Sequence, residues 1–342
     1  MKIAFWSNSP GKSGVTGNLT CISIVSAMYQ ESQMVLFENH SNINNLGSTF
    51  LNQNSYDRLQ EKSLYFVENG LGRVLSYCDR KDLVNAGMIY RTCFSIFNQR
   101  VFYLPIGGMN PDLLEYRLKN HAGEVMNLLE QFYNTVCIDL SSSSLESSRE
   151  ILKEADLIVV NLSQNHQQLS HFFRNYSQIR EKAFYVIGNY DSQSVITKSD
   201  IVKRYELPGS MVGTIPYNRR FADALTKGRV IPFLLRQYSC GKENVNYDFM
   251  SAVKETVCLL EQAKCSRKSQ LRKGGNEDGK KTADLDDNAA GSSDSGSVRA
   301  NGMRKGIACS GSSECNDTEG PGTGAGDVRG TDYQSQSGYS DT

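Results

Sequence analysis

The sequence predicts an α/β fold: a doubly wound, mostly parallel sheet of about seven strands with helices on both faces, followed by a disordered tail. Three observations carry this prediction. The apolar runs of the first 264 residues are short and mostly not alternating, which is the pattern of strands covered on both faces of a parallel sheet. Stretches with helical spacing separate them, and strand, helix and strand in alternation imply right-handed βαβ units. Composition then changes sharply: the 78 residues from Cys265 to Thr342 hold 14 Gly and 12 Ser, five Leu, Ile or Val, and no Phe.

The expected strands, in order, are Ile3 to Trp6, Met34 to Phe37, Val101 to Leu104, Val136 to Leu140, Leu157 to Val160, Phe184 to Ile187 and Met211 to Ile215. Expected helices include Leu19 to Tyr29, Gly123 to Tyr133, Ser147 to Ala155 and Gln167 to Arg180. Residues 1–264 have the size of one large α/β domain with a substantial core. Residues 265–342 carry too little apolar surface to offset the entropy of ordering them and are expected to be a disordered Gly/Ser-rich tail.

Charge narrows the function. The 342 residues carry 37 basic and 37 acidic side chains, which excludes capture of nucleic acid or membrane by a broad field. No apolar run approaches the roughly 18 residues of a membrane span, and the N-terminus turns polar too early for a secretory signal, so a cytoplasmic location is expected. The nine cysteines include no Cys-x-x-Cys pair and are expected to be reduced thiols. His121, His166 and His171 lie in different segments without metal-ligand spacing.

In doubly wound sheets the ligand site lies at the carboxyl ends of the strands. After the first strand the chain reads Ser7-Asn8-Ser9-Pro10-Gly11-Lys12-Ser13-Gly14-Val15-Thr16-Gly17-Asn18 and then enters an apolar helix. A strand, a small-residue turn and a helix N-terminus present backbone N–H groups that can cradle a phosphate. The string is not Gly-x-x-x-x-Gly-Lys-Ser/Thr, so the loop alone does not fix the chemistry.

These residues resemble the ParA/MinD group of P-loop ATPases with a deviant Walker A motif, which read Lys-Gly-Gly-Val-Gly-Lys-Thr where this chain reads Lys12-Ser13-Gly14-Val15-Thr16-Gly17-Asn18. Glu38-Asn39-His40 is similar to the family's Asp-x-Asp, Leu104-Pro105-Ile106-Gly107 to its Leu-Pro-Gly, and Val136 to Asp139 to its Walker B strand. Glu154 to Val160 and Ile215 to Asn218 continue the likeness. The resemblance implies ATP or ADP with Mg²⁺, or no cofactor if the site is vestigial. It places Gly11, Lys12, Ser13, Gly14, Val15, Thr16, Gly17 and Asn18 around the phosphates, and Asn189, Pro216 and Tyr217 around the base. Lys12 and Asp139 fall in catalytic positions, and Asn18 and Asp139 in positions that hold the metal.

The departures matter as much. Gly17 stands where the family has its Walker lysine, Asn18 where it has the magnesium-binding Thr, and His40 where it has a water-orienting Asp. Asp139-Leu140-Ser141-Ser142-Ser143 lacks the switch glycine, and Gly188 occupies the base-reading Asn position unless Asn189 substitutes. Phosphoryl transfer rests on positioned charge and metal, so efficient hydrolysis is not expected. The resemblance therefore implies a pseudo-ATPase or nucleotide-binding positioning and recruitment factor. It would be a homodimer with a protein cargo and is nearest to the TadZ/CpaE branch, which serves pilus or secretion machinery. The alternative is an active ParA-type ATPase in DNA partitioning, for which Arg219, Arg220, Lys227 and Arg229 supply a modest basic surface. Phe249, Val253, Val257 and Leu260, followed by Lys264, Arg267, Lys268, Arg272 and Lys273, invite a peripheral membrane anchor; because Glu255 and Glu261 interrupt it, the helix is expected to pack on the sheet instead.

Overall fold

Alternate residues of the first strand go to opposite sides of the sheet: Ile3 and Phe5 join one apolar core, Ala4 and Trp6 the other. A strand buried on both faces has no polar face to alternate, which is why its sequence reads as one continuous apolar run. The computed structural model describes residues 1–9, 11–58, 69–141 and 145–283, with residues 273–283 described as backbone. The tail expected to be disordered from residue 265 is helical through residue 283, and from residue 284 onward it lies outside the described residues, as do Pro10, Ser142 and Ser143.

Element order is β1 (Lys2–Trp6), α1 (Val15–Tyr29), β2 (Met34–Glu38), α2 (Leu46–Phe50), α3 (Leu71–Arg80), α4 (Ala86–Tyr90), β3 (Phe94–Phe97), β4 (Val101–Tyr103), α5 (Pro111–Glu130) and β5 (Thr135–Asp139). There follow α6 (Glu146–Glu154), β6 (Leu157–Leu162), α7 (His166–Asn175), β7 (Ala183–Tyr190), α8 (Lys198–Arg204), β8 (Val212–Pro216), α9 (Arg219–Thr226), α10 (Val230–Gln237) and α11 (Tyr247–Ala283). The eight strands are ordered β3-β4-β2-β5-β1-β6-β7-β8, parallel throughout except for β3 at the edge. All seven expected strands are present.

The eighth strand, β3, folds back on β4 through Asn98-Gln99, both at positive φ (45° and 53°), with Arg100 N–H donating to Phe97 O at 2.8 Å. Two left-handed residues in succession match the right-handed twist of a two-residue hairpin. Helix α5 starts well before the expected Gly123 because Asn110 accepts a hydrogen bond from Leu113 N–H and Pro111 occupies the first turn. The helix expected over Gln167 to Arg180 breaks at Tyr176 (φ −123°, ψ 42°) and continues as a 3₁₀ turn, Ser177–Lys182.

Helices α3, α5, α6, α7 and α8 bury one face of the sheet, and α1, α2, α9, α10 and α11 the other. On α11, Phe249, Val253, Val257 and Leu260 are all buried in the second core, so the apolar stripe faces the sheet as expected. The helix runs past residue 264: Lys264 is buried, and Arg267 donates to Asp156 O at 3.0 Å. No helix among the described residues is long and apolar enough to cross a membrane, and no disulfide joins the described cysteines.

Phe249 sits in a ring cluster with Phe221 (5.0 Å between centroids) and Phe233 (6.1 Å). Phe249→Ala should lower the unfolding free energy by about 3–5 kcal/mol in urea titration. A loss below about 1 kcal/mol would show that α11 is not docked through this residue.

Candidate functional site

β1 is central, with β5 on one side (Phe5 opposite Asp139) and β6 on the other (Trp6 opposite Val160). Its neighbours' connections run in opposite directions, so the loop after β1 opens at the switch point of the sheet. Two residues of that loop need glycine: Gly11 has φ +71° and Gly14, which caps α1, has φ +68°. The first intrahelical bond runs from Asn18 N–H to Gly14 O at 2.8 Å, and no side chain caps the helix. The N–H groups of Val15, Thr16 and Gly17 therefore have no acceptor within the helix and point out of its positive end.

The loop is pinned from below. Asn18 donates its amide hydrogens to Ser13 O (2.9 Å) and Asn161 Oδ1 (2.8 Å), and Asn189 donates to Lys12 O (3.3 Å). At Gly188, at the carboxyl end of β7, a Cβ would lie 2.0 Å from Ser13 O. Glycine there lets the loop rest directly on the sheet backbone.

Above the loop stands a chain of polar groups. Thr16 Oγ1 donates to Asp139 Oδ2 at 2.6 Å, joining the first turn of α1 to the end of β5. His40 Nε2 lies 3.6 Å from the same oxygen. Burial pulls the His40 pKa down, but the Asp139 hydrogen bond and the charges of Asp139 and Glu38 outweigh it and hold the imidazole above its ordinary value. Glu38, fully enclosed, accepts from Leu46 N–H (2.8 Å) and Tyr103 Oη (2.7 Å). Burial pushes its carboxyl up to about 7 against the pull of His40 and the two donors. Asn39 ties the next segment down, donating to Ser147 and Ser148 and accepting from Ser141 N–H.

These groups border a cleft of about 670 Å³ between the loop and the His40 to Asn44 segment, with Thr16, Gly17 and Asp139 on its walls. Of the residues expected around phosphate, Gly11, Gly14, Val15, Thr16 and Gly17 line it. Ser13 is buried beneath the loop, and Lys12 is exposed at its tip. Asn18 is buried and committed to Ser13 and Asn161, so the residue that meets Asp139 is Thr16 rather than Asn18. A side chain at Gly17 would start 3.2 Å from Leu225 and 3.8 Å from Phe221, against α9 rather than free in the cleft. Asn189 (φ +48°) and Pro216 end the adjacent strands β7 and β8, and Tyr217, 64% exposed, donates its N–H to Tyr190 O. Among the described residues no cluster of three or more His, Cys, Asp or Glu could hold a metal.

The Glu38, His40 and Tyr103 arrangement was not singled out by sequence as a functional site, since Tyr103 lies 65 positions from Glu38. Glu38 and His40 were visible through the match of Glu38-Asn39-His40 to Asp-x-Asp; the contact with Tyr103 was not. Because the folded carboxyl titrates near 7 against 4.5 when exposed, Glu38 stabilises the fold fully below pH 4.5, and this is lost as pH rises through 7. The loss amounts to about 3 kcal/mol. Glu38→Gln should flatten the fall in urea-unfolding free energy across that window; an unchanged slope would contradict the shifted carboxyl.

No protein-family model and no curated protein matches the sequence. Solved structures do match. A ParA family ATPase from Chlorobium tepidum is 12% identical, with TM-score 0.56 over 75% of this chain and 98% of that one. The MinC:MinD cell division protein complex of Aquifex aeolicus gives 14% identity and TM-score 0.55, over 76% and 95%. The septum site-determining protein MinD of Pyrococcus horikoshii, complexed with Mg-ADP, gives 12% and 0.52, over 75% and 95%. The described residues therefore share the P-loop α/β fold of the ParA and MinD ATPases.

Proposed function

We propose that this chain is a ParA/MinD-like nucleotide-binding positioning or recruitment factor, acting as a homodimer in the cytoplasm, with hydrolysis impaired. The observation that carries the reading is the open N-terminus of α1 facing the Thr16–Asp139 contact, with no lysine in the helix's first turn. A nucleotide phosphate fits this cradle: the N–H groups of Val15, Thr16 and Gly17 are donors without intrahelical acceptors, and Gly11 and Gly14 let backbone approach closely. Asn189, Pro216 and Tyr217 would border the base. Thr16 Oγ1 and Asp139 would hold Mg²⁺, which when bound supplies charge neutralisation to the phosphates.

The same residues argue against turnover. Val15 is apolar, Gly17 backs onto α9, and the imidazole of His40 is held above its ordinary pKa beside Asp139. Asp139 and Glu38 thus favour the protonated imidazole, the form that donates hydrogen bonds and does not take a proton from an attacking water. Lys12 is exposed at the loop tip, and in the proposed homodimer it would reach the partner's phosphates. A protein cargo, such as a component of pilus or secretion machinery, follows from the likeness to the TadZ/CpaE branch.

Calorimetric titration of the full chain with Mg²⁺ and ATP or ADP should give saturable binding, weakened at least about tenfold by Asp139→Ala. Phosphate release should stay near or below about 10⁻³ per second. Absence of binding by either nucleotide would overturn nucleotide recognition. Sustained turnover abolished by Lys12→Ala would overturn the impaired-hydrolysis reading.

A further inference from the structure

Away from the nucleotide cleft, α2, α9 and α10 enclose an open groove of about 730 Å³. Its rim carries Arg220, Lys227, Arg229 and Arg236, all exposed, against one carboxylate, Asp223. None of the four cations has an ion-pair partner among the described residues. Several basic side chains elsewhere are paired: Arg100 with Glu31, Arg117 with Asp79, Lys198 with Glu255 and Lys264 with Glu261. The floor is apolar, built from Phe50, Leu51, Ile231 and Phe233. The groove is also preformed: Gly228 (φ +59°), in the α9–α10 turn, is so close to the chain after α2 that a Cβ would lie 1.8 Å from Leu51 O.

We propose that this groove docks an acidic amphipathic segment of a partner protein. An apolar floor under a cationic rim is complementary to a helix with apolar anchors at i, i+3 or i+4 and i+7, flanked by carboxylates. A nucleic acid backbone would leave the floor unfilled and would meet Asp223, so charge and apolarity together favour the peptide. The site stands apart from the nucleotide reading, though its walls touch the cleft. Asn45, N-cap of α2, ends the segment that borders the cleft, and Leu225 of α9 packs at Gly17 on α1.

The probe is a labelled 14-residue peptide with Leu at helical spacing and Glu at the intervening positions, titrated into the full chain by fluorescence anisotropy. Saturable binding is expected, weakened at least about tenfold by the double variant Arg229→Glu, Arg236→Glu and by replacing the peptide's Leu with Ser. The milder pair Arg220→Ala, Arg236→Ala should weaken it less, with an unchanged urea midpoint confirming the fold. No saturable binding, binding indifferent to either substitution, or tighter binding of a 20-base-pair DNA duplex would overturn the proposal.

Discussion

The hydrogen bond from Thr16 to Asp139 ties the first turn of α1 to the end of β5, and the rest of the site is arranged around it. Asp139 is buried, and a buried carboxylate is costly unless donors surround it. Here the hydroxyl of Thr16, in the first turn of α1, donates to it, and the imidazole of His40, just after β2, lies 3.6 Å away. Three consecutive elements of the sheet, β2, β5 and β1 with its loop, are thereby fixed at one point. Pinning from below completes the frame, since Ser13 O cannot move toward β7 past Gly188 and Asn18 holds it through Asn161.

In the proposed reading, that frame would hold an anion with few charges. Backbone N–H groups at a helix start supply partial positive charge without any lysine. The side chains that drive phosphoryl transfer in such folds must reach into the cleft, and here the corresponding directions are taken by other contacts. Gly17 faces Leu225 and Phe221, Asn18 is consumed beneath the loop, and His40 leans on Asp139. Binding and turnover are thus separable, because the first depends on main-chain geometry and the second on side-chain charge.

The strands were legible because each is a continuous apolar run, the direct consequence of burial on both faces. β3 was not: Phe94–Phe97 is short, interrupted by Ser95 and partly exposed, and its placement depends on the Asn98-Gln99 turn. The loop after β1 was legible from its glycines, yet the helix start was not. Thr16, Gly17 and Asn18 are poor helix formers, and only the left-handed cap at Gly14 puts Val15 at the first helical position. That shift turns Thr16 toward Asp139 in place of Asn18. The partners of Asn18 and Glu38, namely Asn161 and Tyr103, lie far off in sequence, where no local pattern points to them.

Backbone amide hydrogen exchange, resolved to the residues after β1 and compared with and without Mg-ADP, bears most directly on the claim that main-chain donors hold the phosphates. Slower exchange confined to Val15, Thr16 and Gly17, with the α11 core unchanged, is the predicted result. Identical exchange at these three amides under saturating nucleotide would contradict it.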